Sequence, residues 1–130
     1  MLKGRRKMGS AIAGLAIMAV VPLSAFAASY NSTFQVYSSS GFDGPARSYN
    51  GDITIKTYEK KVSSGTDKKD IKIELYRVRT FVDDYVGSVT HHRLADDTST
   101  FTNVGAGSYY FHFSKSDDGV NVTGKVNMHD

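Results

Sequence analysis

The chain contains no cysteine and no tryptophan, and only 2 of its 130 residues are proline. Without cysteine the fold has no disulfide to stabilise it. A lipid anchor of the bacterial lipoprotein type is excluded as well, because it is attached to a cysteine at the signal junction. The fold must therefore be stabilised by its hydrophobic core, and about 100 residues are enough to form one.

The sequence also has no apolar run long enough to span a membrane. Its longest apolar run covers residues 11–21, and as a helix this run would reach only about 16 Å, roughly half of a bilayer core. It follows a basic segment with Lys3, Arg5, Arg6 and Lys7, and it precedes small residues that end at Ala27. This three-part pattern predicts a secretory signal peptide over residues 1–27.

We therefore expect cleavage after Ala27, a single β-sandwich domain over residues 28–130, and a protein that is secreted and extracellular. Two alternatives stay open, an uncleaved anchor and export by the twin-arginine route, which the pair Arg5-Arg6 would suit. The signal is bacterial in style. The C-terminal segment 124–130 has neither an apolar tail nor a wall-sorting motif, so we expect no membrane span in the mature form.

The positive charge of the chain belongs to its first segment. The whole sequence has 16 Lys and Arg against 13 Asp and Glu, a formal charge of +3. Removing the four basic residues of the signal leaves 12 against 13, a charge of −1. Because nucleic acids and anionic membranes need a clustered basic surface, neither is predicted as a partner.

The mature region repeats short segments of alternating apolar and polar residues, rich in β-branched and aromatic side chains and separated by Gly, Asn, Asp and Ser. This period of two predicts β-strands. The strands are expected near residues 33–38, 49–58, 71–79, 85–92, 98–104, 108–115 and 120–129. About seven strands in about 100 residues indicate an all-β, antiparallel two-sheet sandwich.

The last two predicted strands are separated by Asp118-Gly119, a dipeptide that favours tight hairpin turns. A two-residue turn there places Phe111 opposite Val126, and both residues belong to apolar rows. The turn and the alternation agree on one register, so a hairpin is predicted.

Residues 101–111, with Phe101, Val104 and Tyr109, resemble the corner that closes one end of immunoglobulin-like and fibronectin type III-like sandwiches. The chain as a whole resembles small secreted bacterial proteins of that architecture. The resemblance covers residues 71–129 and implies that Tyr109 forms a tyrosine corner. It also implies that the third and sixth strands are neighbours, and it implies no activity.

Such neighbouring strands would bring Tyr76, Tyr110 and His112 together on an outward face. Exposed tyrosines are common in binding surfaces, so these three residues are binding candidates. Phe42, between two glycines in a loop, is the fourth. The alternative is ordinary cross-strand aromatic pairing, which stabilises a sheet without any ligand.

Calcium is the one cofactor that the sequence suggests. Asp96, Asp97, Asp117 and Asp118 lie in turns at one end of the predicted sandwich, and calcium binds clustered carboxylates. The alternative is that aspartate simply favours turns and that lysines nearby neutralise it.

The four histidines have no zinc-site spacing, and adjacent His91 and His92 point to opposite faces of a strand. We expect all four on the surface. The sequence has no motif for a catalytic serine, metal or phosphate site, and no enzyme is predicted.

The leading hypothesis is a secreted, non-enzymatic sandwich that binds an extracellular protein or glycan. One alternative is a diffusible antagonist, either an enzyme inhibitor or an antibacterial protein. Another is a structural subunit whose edge strands pair in an extracellular fibre or matrix. The oligomeric state and the identity of the ligand stay open.

Overall fold

A computed structural model describes residues 28–130, so the predicted signal peptide lies outside the described residues. The described chain forms nine strands and no helix. They are β1 (Ser29–Val36), β2 (Phe42–Asp43), β3 (Arg47–Tyr49), β4 (Ile53–Val62), β5 (Lys69–Arg77), β6 (Asp84–His92), β7 (Asp97–Phe101), β8 (Gly107–Ser114) and β9 (Val122–His129).

The strands form two sheets, and every pairing is antiparallel. The first sheet has the order β1-β9-β4-β7, and the second has the order β2-β8-β5-β6 with β3 also paired to β8. The prediction of an all-β antiparallel sandwich is confirmed. The seven predicted strands correspond to β1 and β4 to β9, whereas β2 and β3 are too short to show an alternating pattern.

The predicted hairpin between the last two strands is wrong. Phe111 of β8 pairs with Leu75 of β5 in the second sheet. Val126 of β9 pairs with Ser32 of β1 and Thr57 of β4 in the first sheet. Both sheets turn one face to the same core, so a row of apolar side chains is buried in either sheet. The alternation of apolar and polar residues therefore does not show which sheet a strand belongs to.

This strand order differs from that of an immunoglobulin constant domain, in which the last two strands share a sheet. Two expectations from the resemblance are nevertheless confirmed. The third and sixth predicted strands, β5 and β8, are neighbours. The Tyr109 hydroxyl donates to the Val104 carbonyl and lies 3.0 Å from that of Gly105, which is a tyrosine corner.

The core lies between the sheets and is built from alternate residues of each strand. Phe34 and Phe113 stack across it with ring centroids 5.1 Å apart. The remaining buried apolar residues are Val36, Tyr49, Ile53, Ile55, Ile71, Ile73, Leu75, Phe101, Tyr109, Phe111, Val120, Val122, Val126 and Met128. The apolar rows predicted to contain Phe111 and Val126 are therefore confirmed as inward rows of β8 and β9.

A β-bulge interrupts the pairing of β4 with β9. Glu59 has a φ of +48°, and both Glu59 and Lys60 lie opposite Gly124, between the pairs Lys61–Thr123 and Tyr58–Lys125. The extra residue turns Lys60 into the sandwich, where its Nζ donates to the His92 carbonyl at 2.6 Å.

Gly124 provides the room for this bulge. A Cβ on Gly124 would lie 2.8 Å from Lys60 Cγ and 2.9 Å from Phe34 Cε1. Both neighbours are buried, so a methyl group at this position would crowd two packed side chains.

We predict that Gly124→Ala lowers the free energy of unfolding by about 1–3 kcal/mol, because an extra methyl group overpacks this site. Gly44→Ala is the matched control, since the nearest atom to its Cβ would be the Phe111 carbonyl oxygen at 3.7 Å. Urea unfolding of the two variants measures the difference. Equal midpoints for both variants would contradict the role given to Gly124.

Candidate functional site

Three tyrosines form a row across the outer face of the second sheet. Tyr76 of β5 pairs with Tyr110 of β8 on one side and with Tyr85 of β6 on the other. The Tyr76 and Tyr110 rings are stacked, with centroids 5.4 Å apart and planes 13° apart. Tyr85 meets Tyr76 edge-on at 5.7 Å. The row places a large aromatic area on a rigid sheet.

The loop between β5 and β6 adds two apolar side chains that the sequence analysis missed. Phe81 is 95% exposed and Val82 is 79% exposed. The loop is held beside the row because the Tyr110 hydroxyl donates to Asp83 Oδ2 at 3.0 Å, and the backbone N–H of Arg79 donates to Asp83 Oδ1 at 3.0 Å. An apolar pair within a predicted connection is the sequence signal that could have identified them.

These five residues, Tyr76, Phe81, Val82, Tyr85 and Tyr110, are called the aromatic surface below. The hydroxyls of Tyr76 and Tyr110 stay protonated at neutral pH. Burial, with help from the bond to Asp83, raises the pKa of Tyr110 to about 12, and burial also raises the pKa of Tyr76. The surface therefore presents rings, methyl groups and neutral hydroxyls.

His112 lies on the same face, one row away from Tyr110, and its Nδ1 is 2.5 Å from Asp43 Oδ1. Phe42 does not join them. It pairs with Phe113, an inward residue, and its ring tilts against that of Phe113 at 6.2 Å. The structure therefore brings together Tyr76, Tyr110 and His112, and it places Phe42 in strand β2 with its ring against Phe113.

The four predicted calcium ligands have different partners. Asp117 accepts from the N–H and hydroxyl of Ser39, and Asp97 accepts from the N–H of His92. Asp118 pairs with two cations, while Asp96 is exposed. Within residues 28–130 no group of three or more acidic, histidine or cysteine side chains is placed to hold a metal ion.

Asp118 belongs to a group that the sequence analysis missed, called the charged cluster below: Asp70, Arg93, Lys115, Ser116 and Asp118. Arg93 is 1% exposed. It donates to both carboxylate oxygens of Asp70, at 2.6 and 2.7 Å, and to Asp118 Oδ2 at 2.7 Å. Buried Lys115 donates to Asp118 Oδ1 at 2.6 Å.

The charges of this cluster compensate one another. The guanidinium of Arg93 lowers the pKa of Asp70 to about 2. Lys115 and Arg93 together hold the pKa of Asp118 well below its usual range. Ser116 donates to Asp70 Oδ2 at 2.5 Å. With two cations against two carboxylates, the cluster is a structural network, because buried charges persist only when they are paired.

His91 corrects the expectation that all four histidines lie on the surface. It is 1% exposed and lies between the sheets. Its Nδ1 is 2.8 Å from Thr57 Oγ1, and its Nε2 is 2.8 Å from Ser99 Oγ. Burial lowers the pKa of His91 to about 4, so the ring is neutral at pH 7. It joins the second sheet to the first and presents no base to solvent.

A separate shallow cleft of about 550 Å³ lies over β1, β4 and β9, around the bulge. Its walls include Gln35, Lys61 and Thr123. Lys125 and Glu59, also in its wall, pair with each other at 2.8 Å. The charges that a polar ligand would use there are thus partly neutralised, and the aromatic surface is the better candidate site.

Comparison with protein-family models and with curated proteins finds no match to this sequence. Among residues 28–130 no helix has the length and hydrophobicity needed to cross a bilayer. The functional argument therefore rests on the geometry of the surface itself.

We predict that His91 makes the fold sensitive to mild acid. Because its pKa is about 4 in the folded chain and 6.5 ordinarily, the unfolded chain takes up the proton first as the pH falls. Stability is then lost between pH 6.5 and pH 4, by roughly 3 kcal/mol in total.

Urea unfolding at intervals between pH 4 and pH 7 measures this slope. His91→Gln keeps a hydrogen-bonding side chain but does not titrate, so its slope should be smaller than that of the unsubstituted protein. Equal slopes for the two proteins would contradict the assignment of this pH dependence to His91. Asp70, with its lowered pKa, makes its own contribution between about pH 4 and pH 2.

Proposed function

We propose that this chain is a secreted, non-enzymatic binding protein whose aromatic surface docks onto a partner protein outside the cell. The observation that carries the proposal is the exposure of Phe81, Val82 and Tyr85, which are 95%, 79% and 55% exposed. Tyr85 contacts Tyr76 of the stacked pair, and Phe81 and Val82 belong to the loop whose Asp83 accepts a hydrogen bond from Tyr110. Monomeric proteins rarely leave such groups together in water without a use. Aromatic residues are enriched in the centres of protein interfaces.

The geometry favours a protein partner over a glycan. Sugar rings stack on free aromatic faces, whereas Tyr76 and Tyr110 are stacked against each other, and Tyr85 stands edge-on to Tyr76. The most exposed groups, Phe81 and Val82, are wholly apolar. They suit a hydrophobic pocket on a protein, where one buried aromatic residue often supplies much of the binding energy.

The extracellular location rests on the predicted signal peptide. A relation to small bacterial immunoglobulin-like or fibronectin type III-like proteins is supported by the two-sheet architecture and by the Tyr109 corner. The diffusible antagonist is a special case of the same proposal, in which the partner is an enzyme or a component of a competing cell.

We predict that Phe81→Ser and Tyr85→Ser each weaken partner binding at least ten-fold, because each removes exposed apolar area from the aromatic surface. The matched control is Tyr37→Ser, since Tyr37 is 57% exposed and Tyr85 is 55% exposed. Melting temperatures should hardly change in any of the three.

The measurement uses immobilised mature protein incubated with culture medium and cell-surface extract from producing cells. A protein retained by the unsubstituted chain and by Tyr37→Ser, but lost from both surface variants, supports the proposal. Equal retention by all four proteins contradicts it. If the unsubstituted protein loses its captured partner once the extract has been enzymatically deglycosylated, the surface binds a glycan and not a protein.

One further observation favours the structural-subunit alternative. Strand β6 is an edge of the second sheet, and its segment 85–90 carries no charged residue. Natural edge strands usually carry charges or prolines that prevent pairing with another chain. A second copy adding to β6 would extend the second sheet beyond its present edge.

We predict for this alternative that Ser88→Lys keeps the protein monomeric, because it places a charge in the middle of the exposed edge. Light scattering against protein concentration is the measurement. Assembly of the unsubstituted protein that Ser88→Lys abolishes would support the alternative. A strictly monomeric unsubstituted protein at high concentration would dismiss it.

A further inference from the structure

The first and last described residues are held together. Strand β1 pairs antiparallel with β9, so that Ser29 lies opposite His129. One residue further out, the backbone nitrogen of Ala28 donates to Asp130 Oδ1 at 2.8 Å, and the backbone nitrogen of Asp130 donates to the Ala28 carbonyl at 3.1 Å. The Asp130 side chain thus lies directly against the nitrogen of Ala28.

The other oxygen of this carboxylate is also occupied. Asp130 Oδ2 accepts from the backbone nitrogen of Asn50 at 2.7 Å, in the turn between β3 and β4. Ala28, Asn50 and Asp130 are called the terminal clasp below. Both carboxylate oxygens are fixed by backbone donors from two separate places in the chain, so the carboxylate has little freedom to turn away.

We propose that removal of residues 1–27 completes the clasp by turning the Ala28–Asp130 hydrogen bond into an ion pair. Hydrolysis of the peptide bond between Ala27 and Ala28 adds one water. Ala27 keeps the carboxylate, and Ala28 keeps the amine, which is protonated below about pH 8. The new ammonium forms 2.8 Å from Asp130 Oδ1, in place of a neutral amide.

The inference rests on the predicted cleavage site and not on the aromatic surface. The amide N–H already donates to a charged acceptor. Cleavage adds the attraction between two opposite charges at the same short distance. Cleavage at a different bond would move the ammonium by about 3.3 Å per residue along the strand, away from the Asp130 carboxylate. The clasp therefore stabilises the chain that begins at Ala28 specifically.

The test is a double-mutant cycle on the mature protein that begins at Ala28. One change acetylates the Ala28 amine, which removes its charge and keeps an N–H donor. The other is Asp130→Asn, which keeps the shape and the acceptor but removes the negative charge. Urea unfolding of all four combinations gives the coupling between the two groups.

We expect acetylation to lower the folding equilibrium constant about five-fold when Asp130 is present, and by less than two-fold in Asp130→Asn. The ion pair adds roughly 1 kcal/mol over the bond from a neutral amide to the same carboxylate. The coupling should fade above pH 9, where the amine loses its proton. Equal effects of acetylation in both backgrounds would overturn the proposal.

The N-terminal residue of the protein exported by its own host, read by mass spectrometry, is the second measurement. Ala28 as the first residue supports the proposal, and any other first residue overturns it. Neither result bears on partner capture by the aromatic surface, so failure of the clasp and failure of the binding proposal are distinguishable.

Discussion

Two buried cations hold the connection between β8 and β9 in place. Arg93 and Lys115 both donate to Asp118 in this connection, and Arg93 is held from its other side by Asp70. Since Asp118 is the carboxylate that pairs with buried Lys115, its loss would leave that cation uncompensated and would destabilise the fold. The connection is thereby fixed as a crossing between the sheets.

The terminal clasp depends on this crossing. It places β9 beside β1, which brings Asp130 to the nitrogen of Ala28. A hairpin of the last two strands would have separated this pair. The aromatic surface needs only the pairing of β8 with β5, which stacks Tyr110 on Tyr76. The crossing leaves the other edge of β8 to β2 and β3.

The sequence predicted well what depends on local pattern. Alternation identified inward residues such as Phe111 and Val126, and a corner motif identified Tyr109. Alternation could not assign β9 to a sheet, since the inward side chains of both sheets pack in the same core. The clamp of Arg93 on Asp118 spans 25 residues of sequence, and no spacing rule predicts contacts of that range. The sequence shows that Phe81 is an apolar residue in a connection, but only the fold shows that its side chain is exposed.

The placement of β9 is tested most directly by engineered disulfides, which the absence of native cysteine makes simple to interpret. Asn31 and Asn127 are directly opposite in β1 and β9, so their cysteine variants should oxidise to an intramolecular disulfide. The pair Tyr110 and Asn127, which the hairpin would place opposite each other, should not. Disulfide formation by the second pair and not by the first, read by mass spectrometry, would contradict the account.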